Sequence, residues 1–126
     1  MRSEAFRAAV EALDLEAAMA QLSPSVVLYS PVTFKPFEGK EAVRALFAIL
    51  FRTFEDFRYV GEYAADDGGE VLHFRWRIGD REGEGIDMVR FDGDGLIDDF
   101  TVMIRPLSAV LALRDSVFAR LAADSS

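Results

Sequence analysis

The chain has 126 residues, about half of them hydrophobic, with eleven Phe and a net charge of −8. That length supplies one domain with a real core, and the acidic balance leaves no basic surface to displace counterions from nucleic-acid phosphates. With no Cys and one His, disulfides, thiolate metal sites and a histidine-rich metal centre are excluded. Met1-Arg2-Ser3-Glu4 runs straight into an amphipathic pattern without the long apolar core of a signal peptide. No stretch approaches the roughly 20 apolar residues of a membrane span, so the expectation is a soluble, cytoplasmic protein that binds no membrane and needs no cofactor.

In chain order, Ser3-Glu4 followed by Phe6, Val10 and Leu13 predicts a capped amphipathic helix. Asp14 caps a second, short helix carrying Leu15, Ala18, Met19 and Leu22, which Pro24 stops. Ser25 to Pro31, with Val26, Val27 and Tyr29, reads as a strand, and Pro31 to Gly39 as a loop. Lys40 to Phe54 returns to helical spacing through Val43, Leu46, Phe47, Leu50 and Phe54. From Phe57 to Arg105 the pattern is four strands, separated by turns at Asp66–Gly69, Gly79–Gly83 and Asp92–Gly95. Connections this short allow only antiparallel hairpins. After Pro106, a terminal amphipathic helix is laid out by Leu107, Val110, Leu111, Val117, Phe118 and Leu121. Helices first and a strand meander after them give an α+β fold, a single domain over residues 1–126.

Strand alternation sorts the side chains into two faces. Leu72, Phe74, Trp76 and Ile78 share the face toward the helices, and His73, Arg75 and Arg77 take the outer one. In the next strand Asp87 has the parity of Val89 and Phe91, which places a carboxyl among apolar neighbours. Burial disfavours its charged form, and a neutral carboxyl in an apolar cavity can donate a hydrogen bond to a ligand oxygen. The structural alternative is that Asp87 bonds a buried backbone or hydroxyl group. In the last strand Phe100, Val102 and Ile104 form the apolar face.

The segment Gly85-Ile86-Asp87-Met88-Val89-Arg90-Phe91-Asp92 with Gly95-Leu96-Ile97 resembles the penultimate hairpin of bacterial ketosteroid isomerases. Asp14-Leu15-Glu16-Ala17, Ser30-Pro31 and Gly39-Lys40-Glu41 resemble further landmarks of the nuclear transport factor 2-like superfamily, which includes the SnoaL-like cyclases. The resemblance implies a cone-shaped, curved antiparallel sheet with three N-terminal helices and a C-terminal helix, around an apolar pocket. It places the isomerases' oxyanion-hole acid on Asp87, their oxyanion-hole tyrosine on Phe6 and their proton-shuttling aspartate on Ser30. Phe6 has no hydroxyl, and an unactivated serine is too weak a base to take a proton beside a carbonyl. The acid that SnoaL-like cyclases carry at the end of the last strand falls in Phe100-Thr101-Val102, where nothing titrates. Nor does Arg75-Trp76-Arg77 match the Arg between two pocket carboxylates of the limonene epoxide hydrolases.

His73, on the outer face, reads as a surface or interface residue, and Arg75 and Arg77 as cross-strand partners of acids such as Glu84. Asp92-Gly93-Asp94-Gly95 reads as a tight turn, because Met103 stands where a calcium loop needs its twelfth-position Glu. The expected function is binding of a small hydrophobic molecule, with Asp87 as polar anchor. Its pocket is expected to be lined by Phe6, Leu28, Ser30, Phe74, Trp76, Val89, Phe100 and Val102. The alternative is an isomerase- or cyclase-type enzyme on a steroid- or polyketide-like substrate, with Asp87 as acid/base. A structural association domain would instead fill the pocket with its own side chains. The resemblance also implies a homodimer through the outer sheet face.

Overall fold

A computed structural model describes residues 1–125. The elements are α1 (Glu4–Glu11), α2 (Leu15–Met19), β1 (Leu22–Tyr29), β2 (Phe37–Glu38), α3 (Lys40–Thr53), β3 (Glu55–Ala64), β4 (Glu70–Ile78), β5 (Arg81–Phe91), β6 (Ile97–Arg105) and α4 (Leu107–Ser125). Six strands form one curved, open sheet in the order β2-β1-β6-β5-β4-β3. The meander β3 to β6 is antiparallel throughout, as its short turns require. β1 departs from a wholly antiparallel sheet: it pairs parallel to β6, which the long connection through α3 and the meander permits. Among the described residues no helix is long and apolar enough to cross a membrane.

Several boundaries differ from the sequence reading. Leu22 belongs to β1 rather than to α2, and Pro24 lies inside the strand. The register of β1 against β6 shifts between Leu22 and Val27, and proline, with no N–H to donate, is tolerated where the ladder is interrupted. Phe37 and Glu38, within the expected loop, form β2 against Leu28 and Val27. The turn after β4 is short, so Arg81 to Gly83 belong to β5. Gly83 is there for space: a Cβ would lie 2.6 Å from the Trp76 ring and 2.9 Å from the Ala109 Cβ.

Ser3 precedes α1 but makes no side-chain cap to it. Glu70, at the start of β4, accepts the Arg2 and Ser3 amides at 2.9 and 3.0 Å and the Ser3 hydroxyl at 2.5 Å. A long-range carboxylate thus holds the Arg2-Ser3 entry into α1 and ties it to the start of β4. Phe6 then meets Phe100 of β6 edge-on at 5.5 Å and Phe47 of α3 at 6.2 Å. α4 also buries a different face from the one expected. Ala109 and Leu113 are 0% and 3% exposed, whereas Leu107 is 72% exposed. The reason is local: over Gly83 and Trp76 there is room only for a small side chain.

Candidate functional site

Between the helices and the inner sheet face lies a cavity of about 220 Å³. Its walls are aromatic and aliphatic, built from Phe6 and Val10 of α1, Phe47 and Leu50 of α3, and inward residues of the sheet. Among the described residues, no Lys, Arg or His lines it; its titratable members are Tyr59 and Asp87.

Asp87 is 5% exposed, flanked in register by Leu72 on β4 and Val102 on β6. Tyr59 of β3 donates its hydroxyl to Asp87 Oδ2 at 2.9 Å. Among the described residues no donor meets Oδ1. Burial pushes the Asp87 carboxyl up to about 7, partly offset by the Tyr59 hydrogen bond. Burial, and then the neighbouring Asp87 charge, raise the Tyr59 phenol well above its ordinary range. Tyr59 is therefore a hydrogen-bond donor and not a base. The pair offers a ligand one free carboxyl oxygen: a donor when protonated, an acceptor when ionised.

The sequence pattern does not single out Tyr59 as a site residue. Its strand is irregular, with register shifts between Glu55 and Arg58 and between Tyr59 and Gly61. Its hydroxyl also reaches Asp87 across the intervening strand β4. The available signal was the alternation Phe57-Arg58-Tyr59, which puts Tyr59 on the face of Phe57. A charged set on α1 and β3 holds it from behind: Glu11 accepts the Tyr59 amide at 3.3 Å. Arg7 stands 5.9 Å from the Tyr59 ring centroid and pairs with Glu11 and Glu62.

Of the other predicted pocket residues, Phe6, Leu28, Ser30, Phe74, Phe100 and Val102 contribute to the cavity lining. Trp76 and Val89 do not. Trp76 is buried against Phe54, with ring centroids 4.8 Å apart, and over Gly83. Val89 is buried in the core opposite Phe100. Parity chose the correct face for both, but a face is longer than the cavity it borders. Ser30 lies in a tight local turn, its Oγ accepting the amides of Val32 and Thr33 at 3.3 and 3.2 Å.

His73 lies away from the cavity, its Nε2 3.0 Å from Glu84 Oε2. Glu84 also pairs with Arg105 at 2.7 Å and Arg75 at 3.6 Å. The hydrogen bonds from His73 and Arg105 hold its carboxyl below the usual range. Arg77 pairs instead with Glu55 and Asp56. Asp92 Oδ1 accepts the amides of Asp94 and Leu96 at 2.8 and 3.0 Å, which closes the turn before β6.

A SnoaL-like domain model matches residues 3–100. Among solved structures, a steroid delta-isomerase from Pseudomonas aeruginosa is 41% identical with a TM-score of 0.87, covering 92% of this chain and 85% of that one. An uncharacterized protein with a cystatin-like fold from Silicibacter pomeroyi is 28% identical, with a TM-score of 0.91 and coverage of 98% and 87%. A Mycobacterium tuberculosis protein in complex with estradiol-17beta-hemisuccinate shares the fold at 19% identity and a TM-score of 0.66, with coverage of 86% and 93%. No curated protein matches the sequence.

Proposed function

We propose that this chain, which belongs to the SnoaL-like domain family, holds a small hydrophobic molecule in its cavity, with Asp87 as the polar anchor. The family supports a ligand-binding or isomerase-type role in general. The narrower reading is carried by one observation: a buried carboxyl, bonded on one oxygen by Tyr59, leaves its other oxygen unpartnered within an apolar wall. A ligand carbonyl or phenol there accepts from protonated Asp87, and a ligand hydroxyl donates to the ionised form. The steroid delta-isomerase and the estradiol-hemisuccinate complex among the structural relatives direct the first trials to steroids and phenols.

The test is a thermal-shift panel of steroids, phenols and aromatic polyketide-like compounds on wild type and Asp87→Ala. At a hundredfold excess over Kd, selective native-state binding adds about 2.7 kcal/mol of stability. Losing one buried hydrogen bond to the anchor removes roughly 1–3 kcal/mol of that. Hits that stabilise both proteins equally would deny Asp87 the anchoring role. A panel without hits would count against the ligand reading and move the structural association reading ahead, although the chain's own side chains do not fill the cavity.

The 41% identity to a steroid delta-isomerase favours a second reading, acid–base isomerisation. With no second carboxylate and no imidazole in the described lining, Asp87 itself must take the proton and return it. Formation of the conjugated enone from a Δ5-3-ketosteroid, followed by ultraviolet absorbance and abolished in Asp87→Asn, would establish that chemistry. A rate equal to buffer leaves binding as the function.

The outer sheet face exposes Tyr29, Tyr63 and Met103 beside the His73–Glu84–Arg105 cluster. Aromatic and apolar side chains between charged pairs suit a self-complementary surface, and this face is our proposed homodimer interface.

A further inference from the structure

A side chain that borders a cavity and is also half exposed stands where that cavity meets solvent. Three apolar residues of this kind are Leu13 at 60%, Phe118 at 53% and Leu121 at 45% exposure. Two of them belong to α4, and the two halves of that helix are held differently. The first half is seated in the core by Ala109, which meets the Gly83 and Trp76 surface, and by Leu113, which borders the cavity yet is 3% exposed. The second half places Val117, Phe118 and Leu121 over the cavity itself, and Arg120 Nη2 donates to the Arg52 carbonyl of α3 at 2.8 Å. Apolar side chains over a void forgo part of the dispersion contact that packed neighbours have. The second half of α4 therefore opens more easily than the first.

Size points the same way. Pockets for drug-sized ligands usually span about 300–1,000 Å³, and this one is about 220 Å³. A ligand much larger than one or two rings is enclosed only if part of the wall moves; otherwise it reaches out between Leu13, Phe118 and Leu121.

We infer that the second half of α4 is the gate and size filter of the cavity, pivoting near Leu113, with Arg120 on the Arg52 carbonyl as its latch. Phe118 and Leu121 set the longest ligand that the closed cavity holds. The inference rests on the reading of the cavity as a ligand site. A gate of this kind controls entry and exit rates and leaves the anchoring contact at Asp87 unchanged.

The experiment measures binding of 4-ethyl-, 4-butyl- and 4-hexylphenol, by calorimetry and stopped flow, to wild type, Phe118→Ala and Arg120→Ala. Phe118 and Arg120 are surface-reaching positions, and an unchanged circular dichroism spectrum and sedimentation profile confirm that each variant is folded like wild type. In wild type the affinity should rise from ethyl to butyl and then level off. In Phe118→Ala it should keep rising, by about tenfold more at hexyl than wild type gains. Arg120→Ala should raise association and dissociation rates together, at least threefold each, with Kd within twofold. Equal factors for all three phenols in Phe118→Ala, or unchanged rates in Arg120→Ala, would overturn the gate while leaving the cavity site standing. If no phenol binds wild type, the gate falls, and the cavity reading is left to the steroid and polyketide-like arms of the thermal-shift panel.

Discussion

Asp87 couples stability to pH in the direction opposite to an ordinary surface carboxylate. Its folded-state value is about 7, against about 3.9 for an unperturbed Asp. Between those values the folded state binds the extra proton, so stability falls as pH rises from about 4 to about 7. The full difference corresponds to roughly 4 kcal/mol above pH 7. Asp87→Asn keeps an acceptor for the Tyr59 hydroxyl but has no charge to desolvate. Urea unfolding should find the variant close to wild type at pH 4 and several kcal/mol more stable at pH 8. A gap that stays constant across that range would mean that Asp87 is not titrating in the buried site. Residues that weaken the fold in this way are expected where a site is kept for function.

Among the elements, β5 shows most plainly how local residues shape the site. Gly83 and Gly85 are buried within the strand, away from any turn. A Cβ on Gly85 would lie 2.3 Å from the Met103 carbonyl oxygen and 2.8 Å from Phe74 Cζ. The glycine therefore lets β6 and the Phe74 ring close up beside Asp87. Gly93, in the turn after β5, would meet nothing within 4 Å. Gly85→Ala should cost at least the roughly 1–3 kcal/mol typical of overpacking, and Gly93→Ala should stay within about 0.5 kcal/mol of wild type. Chemical denaturation of both variants checks this, and equal midpoints would refute the close-packing account of β5. α1 illustrates the same dependence at longer range, since the two residues leading into it are held by Glu70 from β4.

On the scale of the whole molecule, the acidic excess and the outer face bear on assembly. A net charge of −8 opposes self-association through the general field, so a dimer requires a face with local charge pairing, and the His73–Glu84–Arg105 cluster supplies one. Sedimentation at micromolar concentration should give a dimer, and Met103→Glu should shift it toward monomer. A monomeric wild type would remove the outer face as an interface. Dimerisation there would leave the second half of α4 free to move, because α4 packs on the opposite side of the sheet.

Much of this was already legible in the sequence. Period-2 alternation in β4 to β6 fixed which residues face inward, because successive side chains on a strand must point to opposite faces; Asp87 was found in that way. The turn residues fixed the meander, because short connections leave antiparallel pairing as the only solution. Relations between distant segments were not legible. The Tyr59–Asp87 bond, the Glu70 clasp on α1, the parallel seat of β1 on β6 and the exclusion of Trp76 from the cavity each depend on how segments far apart in sequence meet. Local periodicity says which way a side chain points, whereas the depth of a pocket, the partner of a buried acid and the helix that closes over them are set by packing across the sheet. Only the tertiary structure decided those.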